Sequence, residues 1–201
     1  MAEILYDDQH MKSSASRSKE ATHQRIVDTA AREIRRRGYD GIGVAELMKL
    51  AGLTHGGFYA HFASREAMLA EAADRAGAEA IAAFLRITAD APSDQSLQAL
   101  QRAYLSQEHV ENPQIGCPVA ALGSEMPRQA PAVRRVVTRR IKEMIDVISR
   151  HSADWGKPGS HERALVTAAT MIGAVMLARA VDEKALSDEV LKAALDHLAP
   201  A

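Results

Sequence analysis

Apolar residues in this chain recur every three or four positions from Ile26 to Leu198. No stretch alternates apolar and polar side chains with the period of two that a half-buried strand needs. The pattern predicts an all-α protein of about nine helices. Composition bears on what fills the core: aromatic residues are only 4% of the chain, so Ala, Leu, Ile, Val and the eight Met must supply it. Few glycines or prolines interrupt the apolar runs, which favours long helices.

The punctuation divides the chain. Residues 1–19 are polar and Ser-rich and are expected to form a flexible arm. Ser18 is placed to cap a first helix in which Ile26, Val27, Ala30, Ala31 and Ile34 share a face. Arg35, Arg36 and Arg37 fill its last turn before Gly38. A second helix is expected over about 44–50 behind Gly43, and a short third from Thr54 to His61. A long fourth is capped by Ser64 and broken within 89–92. Leu97, Leu100 and Tyr104 mark a fifth helix that ends near Asn112, Pro113 and Gly116. Pro118 and Pro131 suit the first turns of a sixth and a seventh. The seventh sets Val133, Val137, Ile141, Met144 and Ile148 against a basic face of Arg134, Arg135, Arg139, Arg140 and Lys142. Two further helices are expected over about 161–181 and 187–198.

The most informative stretch is Gly43 to Phe62. It holds a helix, a sharp turn at Gly52 where positive φ is expected, and a short second helix, the elements of a helix-turn-helix. Val44, Leu47, Ala51, Leu53, Phe58 and Phe62 would pack inward, leaving the start of the short helix for the major groove. Gly56 and Gly57 each cost about 1 kcal/mol relative to Ala in a helix, which close backbone approach to DNA would justify. Charge agrees with a nucleic-acid contact at this end. The whole chain has a net charge of −1, but residues 12–66 carry ten Lys or Arg against six Asp or Glu.

Beyond these patterns the sequence resembles the tetracycline-repressor (TetR) family. The resemblance rests on Ile26-Val-Asp-Thr-Ala-Ala31, Gly38-Tyr39, Val44-Ala45, Ala51-Gly52-Leu53-Thr54, Gly57-Phe58-Tyr59, His61-Phe62 and Ser64-Arg65-Glu66. It implies a helix-turn-helix domain over 20–66 and a helical-bundle domain over 67–201 that binds a small-molecule effector and dimerises through the last two helices. It places Thr54, His55, Gly56 and Gly57 at the DNA-facing start of the recognition helix. Tyr59 and His61 fall on positions that contact phosphate, and Arg65 on a basic position opening the fourth helix. Gly43 stands where many relatives carry a phosphate-contacting Thr, so any contact there would run through the amides of Gly43 and Val44.

The second half of the chain is read from its residues. The eighth helix is apolar nearly all round, from Leu165 to Ala178, and should be buried on more than one side. That uncharged stretch is 14 residues, short of the roughly 18 to 20 that span a bilayer. Candidate effector contacts are Phe84, Tyr104, Cys117, Met144, Ile148, Met171 and Met176, and the aromatic, Ile and Met positions also fit ordinary core packing. Cys117, the one cysteine, fits a reducing cytosol. It precedes Pro118 at a helix start, where it would be either an inert thiol or a sensor of electrophiles and oxidants.

No G-x-S-x-G, P-loop, dinucleotide fingerprint, C-x-x-C or H-E-x-x-H pattern is present, and no cofactor or metal is expected. A non-specific architectural DNA binder would be far more basic. The reading is a cytoplasmic, dimeric, ligand-responsive regulator of transcription, a repressor by resemblance, binding a palindromic operator and lacking a membrane span.

Overall fold

The computed structural model describes residues 2–199, with side chains from Arg17 onward. Those residues form nine α-helices and three 3-10 turns without a strand. In order they are α1 (Ala2–Arg37), α2 (Val44–Leu50), α3 (Arg65–Asp90), α4 (Ser96–Tyr104), α5 (Gln107–Glu111), α6 (Pro118–Leu122), α7 (Pro131–Arg150), α8 (Ser160–Ala180) and α9 (Lys184–Leu198).

Three elements differ from expectation. The backbone of the stretch expected as a flexible arm is helical from Ala2, and α1 runs through Ser18, which caps nothing. No Gly or Pro precedes Gly38, so nothing interrupts the ladder, and Thr22 Oγ1 donates to the Ser18 carbonyl at 2.9 Å as an interior turn. Met1 lies outside the described residues. The recognition segment is a 3-10 helix, His55–Ala60, because its two glycines weaken α-helical propensity. The expected fifth helix is two: Ser106 turns extended and accepts from the His109 amide at 3.2 Å, so it caps a new helix, α5.

The remaining punctuation acts as the sequence predicts. Gly38 and Gly52 end α1 and α2 with φ of 84° and 72°. Ser64 caps α3, its hydroxyl accepting from the Ala67 amide at 3.1 Å. Pro118 and Pro131 open α6 and α7.

Two apolar cores result, and α3 runs through both. In the first, Ile26, Ile34, Leu47, Met48 and Phe58 pack with Leu122, Met126, Val133 and Val137. The N-terminal helices therefore share a core with α6 and α7. The second joins Phe84, Leu100, Tyr104, Met144, Ile148 and Met171. Gly77 lets the Arg140 stem of α7 lie on α3; a Cβ there would stand 2.5 Å from Arg140 Cγ. Arg140 and Arg139 both reach Asp74 at 2.6 Å and hold its carboxyl below the usual carboxylate range, against the opposing effect of burial.

By length and apolarity α8 is a helix that could cross a bilayer, at 21 residues longer than its uncharged stretch. One side, with Ala164, Ala168, Met171, Val175 and Ala178, is packed in the second core. Leu165, Val166, Met176 and Leu177 on the other are exposed, so in the single chain α8 is covered on one side only.

Candidate functional site

The turn after α2 is closed from both ends. The Gly52 amide donates to the Lys49 carbonyl at 3.0 Å, and the Leu53 amide reaches back to Met48 at 2.8 Å, a Schellman arrangement that only a left-handed residue at 52 permits. The 3-10 turn is then fixed from beneath. Phe58 and Phe62, both buried, stack at 5.4 Å; Phe62 also stacks under His23 of α1 at 4.5 Å, and His23 Nε2 lies 2.6 Å from Glu71 on α3. Inward anchoring of the phenylalanines turns the other side of the segment outward.

That side carries Thr54, His55, Gly56 and Tyr59, all exposed, with the Tyr59 ring standing edge-on to Phe58 at 5.3 Å. Gly57 is half-buried over Met48. Gly43 is exposed and extended at the start of α2, with Val44 half-buried beside it. Two further residues of the expected set are half-buried. His61 lies 5.9 Å from His23, its Nδ1 buried without a partner; burial, then the charges of His23 and Lys19, lowers its pKa. Arg65 donates to the Tyr39 carbonyl and lies 3.6 Å from Asp40, tying the loop before α2 to the first turn of α3.

A cavity of about 260 Å³ opens between α3, α4 and α5. Phe84 and Ile87 of α3 and Leu100 of α4 make its apolar wall; Tyr104, His109 and Cys117 stand at its polar side. Of the expected effector contacts, Phe84, Tyr104 and Cys117 line it. Met144, Ile148 and Met171 are core filler, and Met176 is on the bare face of α8. The break at Ser106 decides this, because it turns α5 across the cavity instead of prolonging α4.

His109 fixes the polar side. Its Nδ1 is 2.7 Å from the Tyr104 carbonyl, and its Nε2 accepts from the Cys117 amide at 3.0 Å, so the ring is neutral with the proton on Nδ1. Burial lowers its pKa, and the Arg179 charge adds to that against the bond to Tyr104. Cys117 does precede the first turn of α6, but the thiol is buried and the helix is only five residues long.

The cavity is tied to α1 by a residue read from the sequence as one of three last-turn cations. Arg35 of α1 is 4% exposed. Its Nη1 donates to the carbonyl of Gly116, on the cavity lining, at 3.3 Å, and its Nη2 to Glu79 of α3 at 2.6 Å. The signal was present: Arg35 follows Ala31 by four on the apolar stripe, where an exposed cation does not belong. A second tie is Glu125, whose carboxylate accepts from the Tyr39 amide at 2.8 Å; burial and that carboxylate push the Tyr39 hydroxyl pKa up.

A short 3-10 helix anchored behind a tight turn, presenting small polar and glycine residues beside a helical bundle, defines a helix-turn-helix regulator of transcription. Residues 26–72 match the model of the bacterial regulatory proteins of the tetR family. An HTH-type transcriptional regulator of Mycobacterium tuberculosis is 31% identical over 164 residues, 78% of this chain and 83% of that protein. The chain belongs to the TetR family of transcriptional regulators. Among solved structures, a TetR regulator from Chloroflexus aurantiacus is 28% identical, with a TM-score of 0.74 over 90% of this chain and 94% of its own. The reduced form of NemR from E. coli has the same fold at 22% identity, with a TM-score of 0.74 over 88% and 94% of the two chains.

Proposed function

We propose that this regulator is a cytoplasmic repressor that binds a palindromic operator as a homodimer and is released by a small molecule held in the cavity between α3, α4 and α5. The observation that carries this reading is Arg35. One guanidinium bonds the cavity lining at Gly116 and α3 at Glu79 while its stem is part of α1, so a ligand that moves Gly116 moves a helix of the DNA-binding half. Differential affinity of the ligand for the two arrangements is the driving force.

DNA contact in this reading falls to Thr54, His55, Gly56, Gly57 and Tyr59, with Gly43 and Val44 offering backbone. Arg65 positions these residues more than it touches phosphate, since it is held by the Tyr39 carbonyl and Asp40, while His61 is half-buried beside His23. The dimer is supported by α8, where Leu165, Val166, Ala169, Gly173, Met176 and Leu177 form a stripe at helical spacing with exposed large side chains. A Cβ at Gly173 would meet nothing within 4 Å, so a second helix has room to approach there. A gel-shift series with DNA from upstream of the protein's own gene tests the reading. A retarded band with dimer stoichiometry is expected, and absence of any band overturns it.

A second reading, thiol sensing through Cys117, is favoured by the place of the thiol on the cavity lining rather than by its helix start. That the NemR structure is of a reduced form points the same way. Addition of the sulfur to the β-carbon of an α,β-unsaturated carbonyl, its proton passing to the α-carbon, would fill the cavity covalently. Treatment with N-ethylmaleimide should then release DNA from the parent protein and leave Cys117→Ser bound; equal behaviour of the two removes this reading.

A further inference from the structure

The polar side chains on the cavity lining are already bonded within the protein. His109 is engaged at both ring nitrogens, by the Tyr104 carbonyl at 2.7 Å and the Cys117 amide at 3.0 Å. The Ser106 hydroxyl donates to the Ala103 carbonyl at 2.9 Å and accepts from the His109 amide at 3.2 Å. Asn112 donates to the Glu108 carbonyl at 2.8 Å and accepts from Gln114 at 3.2 Å. The Gly116 carbonyl takes the Arg35 guanidinium at 3.3 Å. The Tyr104 hydroxyl is fully covered and turned to the Cys117 thiol, so it offers the cavity nothing.

Charge on the lining is as sparse. Among the described residues no Lys or Arg belongs to it, and its one carboxylate, Glu108, is exposed. Arg179 of α8 stands behind the wall, where it donates to the carbonyls of His109 at 2.6 Å and Val110 at 3.1 Å. The rest of the wall is carbon: Ala80, Ala83, Phe84, Ile87, Leu100 and Ala103. A polar atom of a ligand carried into such a space loses its water and finds no replacement.

We infer that the cavity takes a small uncharged molecule whose buried part is hydrocarbon, about one ring with a short side chain. The inference rests on the effector-site reading above and names the class of effector. Size sets the body: a dry cavity of about 150 Å³ holds benzene, and this one of about 260 Å³ has room for a substituent on the ring. The bonds of the lining set the polarity. A hydroxyl on the ligand could be satisfied only by displacing a bond of His109, Ser106 or Asn112, and the displaced partner would then be left unpaired. An ammonium could reach Glu108 only on its exposed side, where water screens the attraction. A carboxylate would meet no cation on the lining.

Calorimetric titration of the full chain with ethylbenzene, set against benzyl alcohol, benzylamine and benzoate, tests this. Ethylbenzene, the alcohol and the amine share one shape and differ in a terminal methyl, hydroxyl or ammonium. Ethylbenzene should bind at least tenfold more tightly than each of the other three. Equal or tighter binding of the alcohol, the amine or the acid overturns the uncharged hydrocarbon class, as does no binding of ethylbenzene. Ala83→Leu, at a half-buried position on the wall, should fill the space and weaken ethylbenzene at least tenfold; unchanged affinity would place the ligand elsewhere. The comparison among ligands uses the parent protein and requires no variant to fold. A gel shift on the same preparation separates the two layers of argument. Retarded DNA without ethylbenzene binding rejects the ligand class alone; ethylbenzene binding without retarded DNA rejects the regulator reading and leaves the site standing.

Discussion

Nothing inside the protein requires glycine at position 56. A Cβ there would meet no atom within 4 Å, and its φ is not positive. Gly56→Ala should therefore leave unfolding by urea unchanged or stabilise the chain by up to about 1 kcal/mol. Operator affinity in fluorescence anisotropy should fall at least tenfold, because the added methyl would stand between backbone and DNA. Unchanged affinity would mean the backbone does not approach DNA at that point. His109 gives a prediction in pH. Its folded pKa lies below the ordinary value of about 6.5, so the unfolded chain takes up the proton first as pH falls. The contribution to stability is complete above about pH 6.5 and is lost as the pH drops toward the folded value. The urea midpoint of the parent protein should fall more between pH 7.5 and 5.5 than that of His109→Gln; parallel curves would refute the assignment. The sequence named Tyr104 and Cys117 but not His109, because a ring serving two backbone groups across the Ser106 break has no local signature.

Among the elements, α3 depends on its cap. Ser64→Ala removes the acceptor for the Ala67 amide and should cost about 1 kcal/mol in urea unfolding. Because α3 starts beside the DNA-reading turn and ends at the cavity, fraying its first turn should also weaken operator binding. The α8 stripe is tested by Leu177→Glu at a position 59% exposed in the single chain. The monomer should keep its melting behaviour, sediment as one chain, and lose at least tenfold in operator affinity, since one reading turn covers only half a palindrome. A dimer that survives this change would place the interface elsewhere. Helix starts and stops were legible at Ser64, Gly38, Gly52, Pro118 and Pro131, though not at Ser106, where one expected helix is two. The continuation of α1 through Ser18 was not, because a Ser that caps and a Ser that sits inside a helix look alike until the backbone is placed.

At the scale of the molecule, buried polar ties join the two halves across a shared core. Arg35→Met keeps the stem packing and removes both the Gly116 and the Glu79 bonds. Glu79 is left about a third exposed, so the cost in stability should stay below that of a fully buried broken pair, roughly 3 to 5 kcal/mol. The variant should bind its effector with affinity within about threefold of the parent and release operator far less completely on binding it. Release equal to that of the parent would show that coupling runs through the apolar core instead.

Sequence by itself determined the all-α class, the turn at Gly52, the inward Phe58 and Phe62, and the outward Thr54, His55 and Tyr59, because each follows from spacing within a few residues. Tertiary structure alone decided which apolar side chains line the cavity and which merely fill the core. Met144 and Phe84 have the same helical credentials, and only the turn of α5 across α3 and α4 separates them. It also decided that Arg35 is a buried tie rather than a last-turn cation, since its partners Glu79 and Gly116 are 44 and 81 residues away along the chain.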